Sequence, residues 1–353
     1  MGIIVFILIL ALLVLVHEFG HFLMAKKTGV KVEEFGIGFP PRLFGVKHGE
    51  TLYSVNVIPL GGFVKMYGEE MHEVGAKRDT PKQAQRAFVN KKPWQKSLII
   101  VAGVIGNFLL GWVLISYLFT QGVPAPANKV IVEEVQKGSP AAVAGIKVND
   151  SIVQLDSRPL TDSTDLINLT KKYAGQPIQL VVERKNKQLN ITATPRKNPP
   201  AGQGPLGIAV TSFVEKKYPW YKAPFYGLTE SVSITRTIIV EITKAIVGLV
   251  TLHKPMVEVS GPIGIANYTG QAIKFGKNAV LELIALLSLN LAIVNILPFP
   301  ALDGGRFVFV IYEWVTKKKV NQDIERYTNL VGFFILILLA ILISINDIVH
   351  LMH

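Results

Sequence analysis

From Met1 to Ala25 the chain is almost wholly apolar, yet His17, Glu18 and His21 stand inside the run. A helix of about 20 apolar residues crosses a bilayer. An ionisable side chain at that depth is costly, so a functional role is its default explanation. His17-Glu18-Phe19-Gly20-His21 reads HExxH. Residues four apart share one face of a helix, so both imidazoles reach one ion. Glu18, beside that ion, is placed to take a proton from water. The competing reading is a pair of buried histidines bonded to neighbouring helices. Three polar side chains in one span are a heavy cost for packing alone.

Three further stretches are long and apolar enough to cross: about Ser97 to Thr120, Ala279 to Pro298 and Tyr327 to Ile345. Half of the residues are hydrophobic and only 18% are charged, which places the chain among membrane proteins. The first run is no cleaved leader by its pattern, because its positive charges, Lys26 and Lys27, follow it. The segment from Lys26 to Lys96 holds thirteen Lys/Arg against seven Asp/Glu. The connection after the third span carries Arg306, Lys317, Lys318 and Lys319. Positive residues mark the inner side. The expected topology therefore has both termini and residues 121–278 outside, and the other two connections inside. Residues 223–252 carry Glu230, Arg236, Glu241 and Lys244. They read as an amphipathic helix at the membrane surface rather than a fifth span.

The formal net charge is +12. The basic residues gather beside apolar spans and form no recognisable base-reading motif, so no nucleic-acid partner is expected. The chain has no cysteine, which removes disulfides, thiolate ligands and a thiol nucleophile.

Catalytic zinc usually takes three protein ligands. The extended HExxHxxGxxH signature fails, since Met24 and Lys27 occupy its last two positions. His48, His72, His253, His350 and His353 lie in loops, in the external region or at the terminus. The better candidate is Asp303, in "NILPFPALDGGR" directly after the third span. Pro298 and Pro300 break the helix there, and Gly304 and Gly305 permit a close turn. Broken backbone at membrane depth is tolerated where it lines a cavity.

With these residues in view, the chain resembles the site-two intramembrane metalloproteases. That family pairs HExxH with a distant NxxPxxxxDG element, filled here by Asn295, Pro298, Asp303 and Gly304. "FGIGFPPRLF", "PLGGFVKMYGE" and "SGPIGIA" are similar to the bacterial branch typified by regulator of sigma E protease. The resemblance implies Zn2+ held by His17, His21 and Asp303, with Glu18 activating water. It implies that Asn295 holds the substrate backbone, with Pro298 of the same element a further expected substrate contact.

Residues Glu50–Met66 alternate and are rich in β-branched and aromatic side chains, with turn chemistry at Pro59 and Gly61-Gly62. A hairpin or short sheet is expected, and its edge, at Gly61, Gly62 and Phe63, could receive an unwound substrate by strand addition. In the second span, Gly103, Gly106, Asn107 and Gly111 recur at spacings of three and four, which suits close helix packing. "GSPAAVAGIKVNDSIVQLD" resembles a bacterial PDZ domain, a fold that takes extended peptides or tails.

The expected fold is a polytopic α-helical membrane protein: four transmembrane helices, a membrane-associated β-hairpin or sheet, and one α+β PDZ domain. Residues 1–120 hold the first two helices, 121–200 the PDZ domain, 201–278 a surface-helix connector and 279–353 the last two helices. The expected activity is a zinc metalloendopeptidase cutting single-span membrane proteins, such as anti-sigma factors or signal-peptide remnants, in a bacterial inner membrane. A metal transporter would need polar residues along a whole path through the bilayer. A silent PDZ scaffold would have no use for Glu18 and Asp303.

Overall fold

The computed structural model describes residues 2–69, 81–251 and 260–352. His72, His253 and His353 lie outside these residues. The chain forms two compact units, one of residues 1–118 and 220–353, the other of residues 119–219.

The first unit begins with α1 (Gly2–Lys27). Ile9, Leu13, His17, His21 and Ala25 are buried along it, a stripe that repeats every fourth residue. Both histidines therefore lie on the packed face rather than toward lipid. The chain then runs through β1 (Val32–His48) and β2 (Thr51–Met66), which pair antiparallel. The tight turn falls at Gly49-Glu50, not at Pro59 and Gly61-Gly62 as the composition suggests. The reason is the length of the strands, which fold back on themselves. Residues 34–37 face residues 62–65 on one side and 52–55 on the other. Gly61-Gly62 thus lies within β2 rather than at the turn, and Gly61 takes a positive φ of 103° that favours glycine.

A short α2 (Pro81–Ala84) precedes α3 (Pro93–Gln121). After the second unit come α6 (Ala223–Val250), α7 (Pro262–Phe275), α8 (Lys277–Ile296), α9 (Asp303–Thr316) and α10 (Gln322–Met352). Among the described residues four helices are long and apolar enough to cross a membrane: α1, α3, α8 and most of α10. Helix α6 is not one of them, but it does not stand apart from the bundle. Its first turn accepts a hydrogen bond from Trp112 Nε1 at the Pro224 carbonyl, 2.8 Å away.

The "SGPIGIA" stretch opens α7, a helix that the sequence reading left inside a connector. Its first turn is capped from α10. Asp347, buried, accepts from the backbone N–H of Gly261 at 3.1 Å and of Gly264 at 2.8 Å. A carboxylate satisfies two of the N–H groups that a helix start leaves open.

The second unit is a sheet in the order β7-β6-β4-β3-β8, with β5 beside β4. Its elements are β3 (Val123–Val135), α4 (Pro140–Val143), β4 (Ser151–Leu155), β5 (Arg158–Pro159), α5 (Ser163–Lys172), β6 (Ile178–Arg184), β7 (Lys187–Ala193) and β8 (Ile208–Lys216). Ile178, Leu180 and Val182 alternate inward from β6 to meet Val130, Val132, Ile152, Leu155 and Leu166. "GSPAAV" forms α4, with Ser139 Oγ accepting from the Ala142 N–H at its start and Pro140 in the first turn. Asp162 caps α5 in the same way. This is the PDZ fold expected from the sequence, and the compact unit that holds it runs from Phe119 to Pro219. Strand β8 lies beyond residue 200 and pairs with β3, so it completes the sheet. It also forms a sheet edge.

One buried ion pair fastens this unit. Asp150, 1% exposed, accepts from Arg184 Nε and Nη2 at 2.7 and 2.6 Å and from the Lys147 N–H at 2.8 Å. Burial pushes the Asp150 carboxyl up, but the Arg184 hydrogen bonds, the Lys147 N–H and the positive charges of both residues together outweigh it and hold the group below its ordinary value. Asp150→Ala should destabilise the PDZ unit by about 1.5–3 kcal/mol, because the Lys147 N–H and the half-exposed Arg184 guanidinium lose their charged acceptor. A depressed folded-state value means that this stability is present above the ordinary value of 3.8 and is lost as pH falls through the folded one. Hydrogen exchange of the Ile152 and Val182 amides in the intact chain measures both effects.

Candidate metal centre

Helix α1 brings two imidazoles to one face, and the break between α8 and α9 brings a carboxylate to meet them. Asp303 is the first residue of α9, after a connection containing Pro298 and Pro300. Gly304 and Gly305 are required there. A Cβ on Gly304 would overlap the Leu297 carbonyl, and one on Gly305 the Phe299 carbonyl. The connection is also held from α10, where Asn329 Oδ1 accepts from the Ala301 N–H at 3.2 Å.

The three donor atoms form a small triangle. Nε2 of His17 lies 2.8 Å from Asp303 Oδ2, Nε2 of His21 lies 3.1 Å from the same oxygen, and the two nitrogens are 3.1 Å apart. Tetrahedral zinc with bonds of about 2.0–2.1 Å separates its ligands by roughly 3.3 Å. The triangle matches one face of such a tetrahedron, slightly contracted. Its chemistry agrees. His21 Nδ1 stands 2.8 Å from the Ile99 carbonyl, which only accepts, so Nδ1 carries the hydrogen and Nε2 points a lone pair inward. A lone pair and a carboxylate oxygen converging with a second imidazole in a buried place call for a cation. His17 and His21 are buried and Asp303 is half-buried. The donor set suits zinc.

Helix α3 lies against this face of α1. A Cβ on Gly103 would overlap Nε2 of His21, and one on Gly20 would overlap the Ala102 carbonyl. Glycine at these points lets the two helices close on the rings. Two ion pairs fix α9. Arg306, one turn after Asp303, bonds Glu69 just past β2, and Lys96 of α3 bonds Glu313 at 2.8 Å. A cleft lined by Ala301, Asp303, Arg306, Asn329 and Phe333 opens beside Asp303.

The remaining expected site residues divide. Asn295, at the end of α8, places Nδ2 3.3 Å from Nε2 of His17, beside the donor triangle. Gly62 is adjacent to Glu18, whose Cγ is 3.9 Å from where a Gly62 Cβ would stand. Gly61 packs on Val14 and Phe39 instead. Phe63 stacks on Phe39 with ring centres 6.5 Å apart and covers Gly36, so its side chain turns back onto the sheet. Pro298 is exposed in the connection. His48 ends β1, paired with Thr51.

The model of Peptidase family M50 matches residues 5–339. This chain belongs to Peptidase family M50. A Clostridium perfringens protein named as a candidate zinc metalloprotease is 35% identical over 351 residues, covering 99% of each chain. The regulator of sigma-W protease RasP of Bacillus subtilis is 30% identical and covers 98% of each. The zinc metalloprotease RasP of Geobacillus kaustophilus is also 30% identical, over 98% of this chain and 97% of its own. Among solved structures, the PDZ domain of an SdrC-like protein of Listeria monocytogenes matches 25% of this chain and 93% of its own, at 19% identity and a TM-score of 0.22. Family membership makes the chain a membrane peptidase, and the likeness to its relatives runs end to end rather than through one motif.

The sequence reading missed what α3 contributes. Asn107 and the Ile99 carbonyl both reach the histidine rings. The small-residue pattern Gly103, Gly106, Asn107 was the available signal, and it pointed to packing. Gly103→Ala should strip most of the bound zinc while the chain still folds in detergent. Elemental analysis of the purified variant checks this; unchanged zinc would mean that the rings repack without loss.

Proposed function

We propose that this M50 peptidase is an intramembrane zinc endopeptidase that cuts transmembrane segments of single-span membrane proteins. The observation that carries the reading is the donor triangle of His17, His21 and Asp303 on helices of a membrane bundle, with Glu18 next to the first ligand. A zinc ion bound there would supply Lewis acidity toward water and toward the scissile carbonyl.

The chain's own residues do the rest. Glu18, half-buried, takes the proton of the attacking water and later delivers it to the leaving amine. Asn295 offers an amide N–H next to the donor triangle, where it meets the negative charge that develops on the carbonyl oxygen. A helical substrate hides its peptide groups in its own hydrogen bonds, so it must be unwound. Residues 62–65 pair with 34–37 on one side and have no strand partner on the other among the described residues. An extended substrate segment added to that edge runs past Glu18 at Gly62. The PDZ unit offers a second open edge, β8, with α5 beside it: the Ser163 N–H bonds Ser212 Oγ. An extended tail of a partner protein suits that groove.

The name of the Bacillus subtilis relative records control of a sigma factor. Anti-sigma factors, already shortened outside, and signal-peptide remnants are the proposed substrate classes. The proposed site is a bacterial inner membrane, with the PDZ unit and both termini outside and the active site toward the inner face.

Glu18→Gln should retain zinc and lower cleavage of a reconstituted transmembrane peptide by roughly 10²–10⁴-fold. A chelator should stop the wild-type enzyme and added zinc should restore it. Cleavage that persists at full rate in Glu18→Gln would remove the assigned base. Because the chain lacks cysteine, topology can be read directly. In intact cells, Lys187→Cys should react with a membrane-impermeant maleimide and Lys318→Cys should not; the reverse pattern would invert the arrangement.

A further inference from the structure

For both imidazoles to bind one ion through Nε2, each must carry its hydrogen on Nδ1. The Ile99 carbonyl enforces this for His21. Nothing so plain enforces it for His17. The side-chain amide of Asn107 contacts His17 Nδ1, with Nδ2 at 3.4 Å. Asn295 also approaches, but its amide lies closer to Nε2, at 3.3 Å, than to Nδ1, at 3.5 Å. Asn107 contacts Nδ1 alone, whereas Asn295 is shared with Nε2.

Asn107 is fully buried, and its Oδ1 has no hydrogen-bond partner among the described residues. A buried amide oxygen without a donor is costly. Its backbone is fixed, since the Asn107 carbonyl accepts from Ser288 Oγ of α8 at 2.8 Å. With an N–H on His17 Nδ1, the amide nitrogen and the ring nitrogen would be two donors face to face. Turning the amide over about its last torsion exchanges the two ends and puts the oxygen there instead.

We propose that Asn107 is a positioning residue for His17: its amide oxygen accepts the Nδ1–H and so presents Nε2 to the metal. This rests on the zinc reading above. Helix α3 then sets both tautomers, His21 through a backbone carbonyl and His17 through a side chain two turns further on. Such partners of metal-bound histidines fix ring orientation and raise ligand basicity. The small-residue stripe of α3 gains a purpose beyond packing, because it brings the amide to the ring.

The test uses the full chain in detergent, with zinc affinity measured by competition against a chromogenic chelator and the optical spectrum of the cobalt-substituted protein as a second readout. Asn107→Leu keeps the approximate volume and removes the acceptor. Asn107→Asp keeps an acceptor that cannot be turned the wrong way. Zinc binding should weaken about 10–100-fold in Asn107→Leu, with an altered cobalt spectrum. Asn107→Asp should bind zinc within a few-fold of wild type. Wild-type affinity in Asn107→Leu overturns the proposal. So does an equal loss in both variants with lowered thermal stability, which marks a packing role. Wild-type protein that binds no zinc at all would instead remove the zinc reading, and this inference with it.

Discussion

Three donor atoms held about 3 Å apart inside an apolar bundle are the constraint around which the rest of the structure is arranged. Two imidazoles and a carboxylate repel one another's lone pairs and lose their water. A shared proton, a metal cation or a backbone that leaves them no alternative is needed to keep them together. The fold removes the alternatives one at a time. The buried stripe of α1 turns both histidines inward. Glycines on α1 and α3 bring the helices close enough to trap the rings. The break before α9 delivers Asp303 at a helix start. The pairs Arg306–Glu69 and Lys96–Glu313 hold that helix in place.

Irregular backbone is concentrated where the chemistry is. A continuous helix satisfies its own peptide groups and offers nothing to a substrate. The interruption between α8 and α9 and the folded-back sheet of β1 and β2 both expose main-chain groups beside the donor triangle. Each is secured by a specific contact: the α8–α9 connection by Asn329, the end of β2 by the ion pair of Glu69. Asp347 does similar duty at a distance, since it caps α7 from within α10. A carboxylate in an apolar helix is explained here by two backbone N–H groups.

Much of this was legible in the chain, and the misses share a cause. The apolar runs, HExxH and the Pro/Gly-interrupted "NILPFPALDGG" are strong local signals, and local signals survive without a structure. The hairpin turn was misplaced because Gly61-Gly62 has turn chemistry while Gly49-Glu50 has less. The pairing of residues 34–37 with two segments at once decided the matter. The sequence assigns only residues 121–200 to the PDZ domain because β8 is separated from β7 by a loop rich in Pro and Gly, which reads as a linker. Only its pairing with β3, some eighty residues earlier, claims it for the sheet. Asn107 was read as helix packing because a lone polar residue among glycines carries no indication of which ring it faces.

The sequence by itself determined that the chain spans a membrane, that two imidazoles share one helix face, and that a helix must break at Pro298–Gly305. These follow from hydrophobicity, from the helical repeat and from the geometry of proline and glycine, all of which act over a few residues. Only the tertiary structure decided that Asp303 closes the triangle, that Gly62 rather than Phe63 stands at Glu18, and that α3 brings the Ile99 carbonyl and the Asn107 side chain to the histidine rings. Those facts join residues 18 and 62, 21 and 99, 17 and 303. No local rule relates positions that distant, because what brings them together is the packing of whole helices on one another.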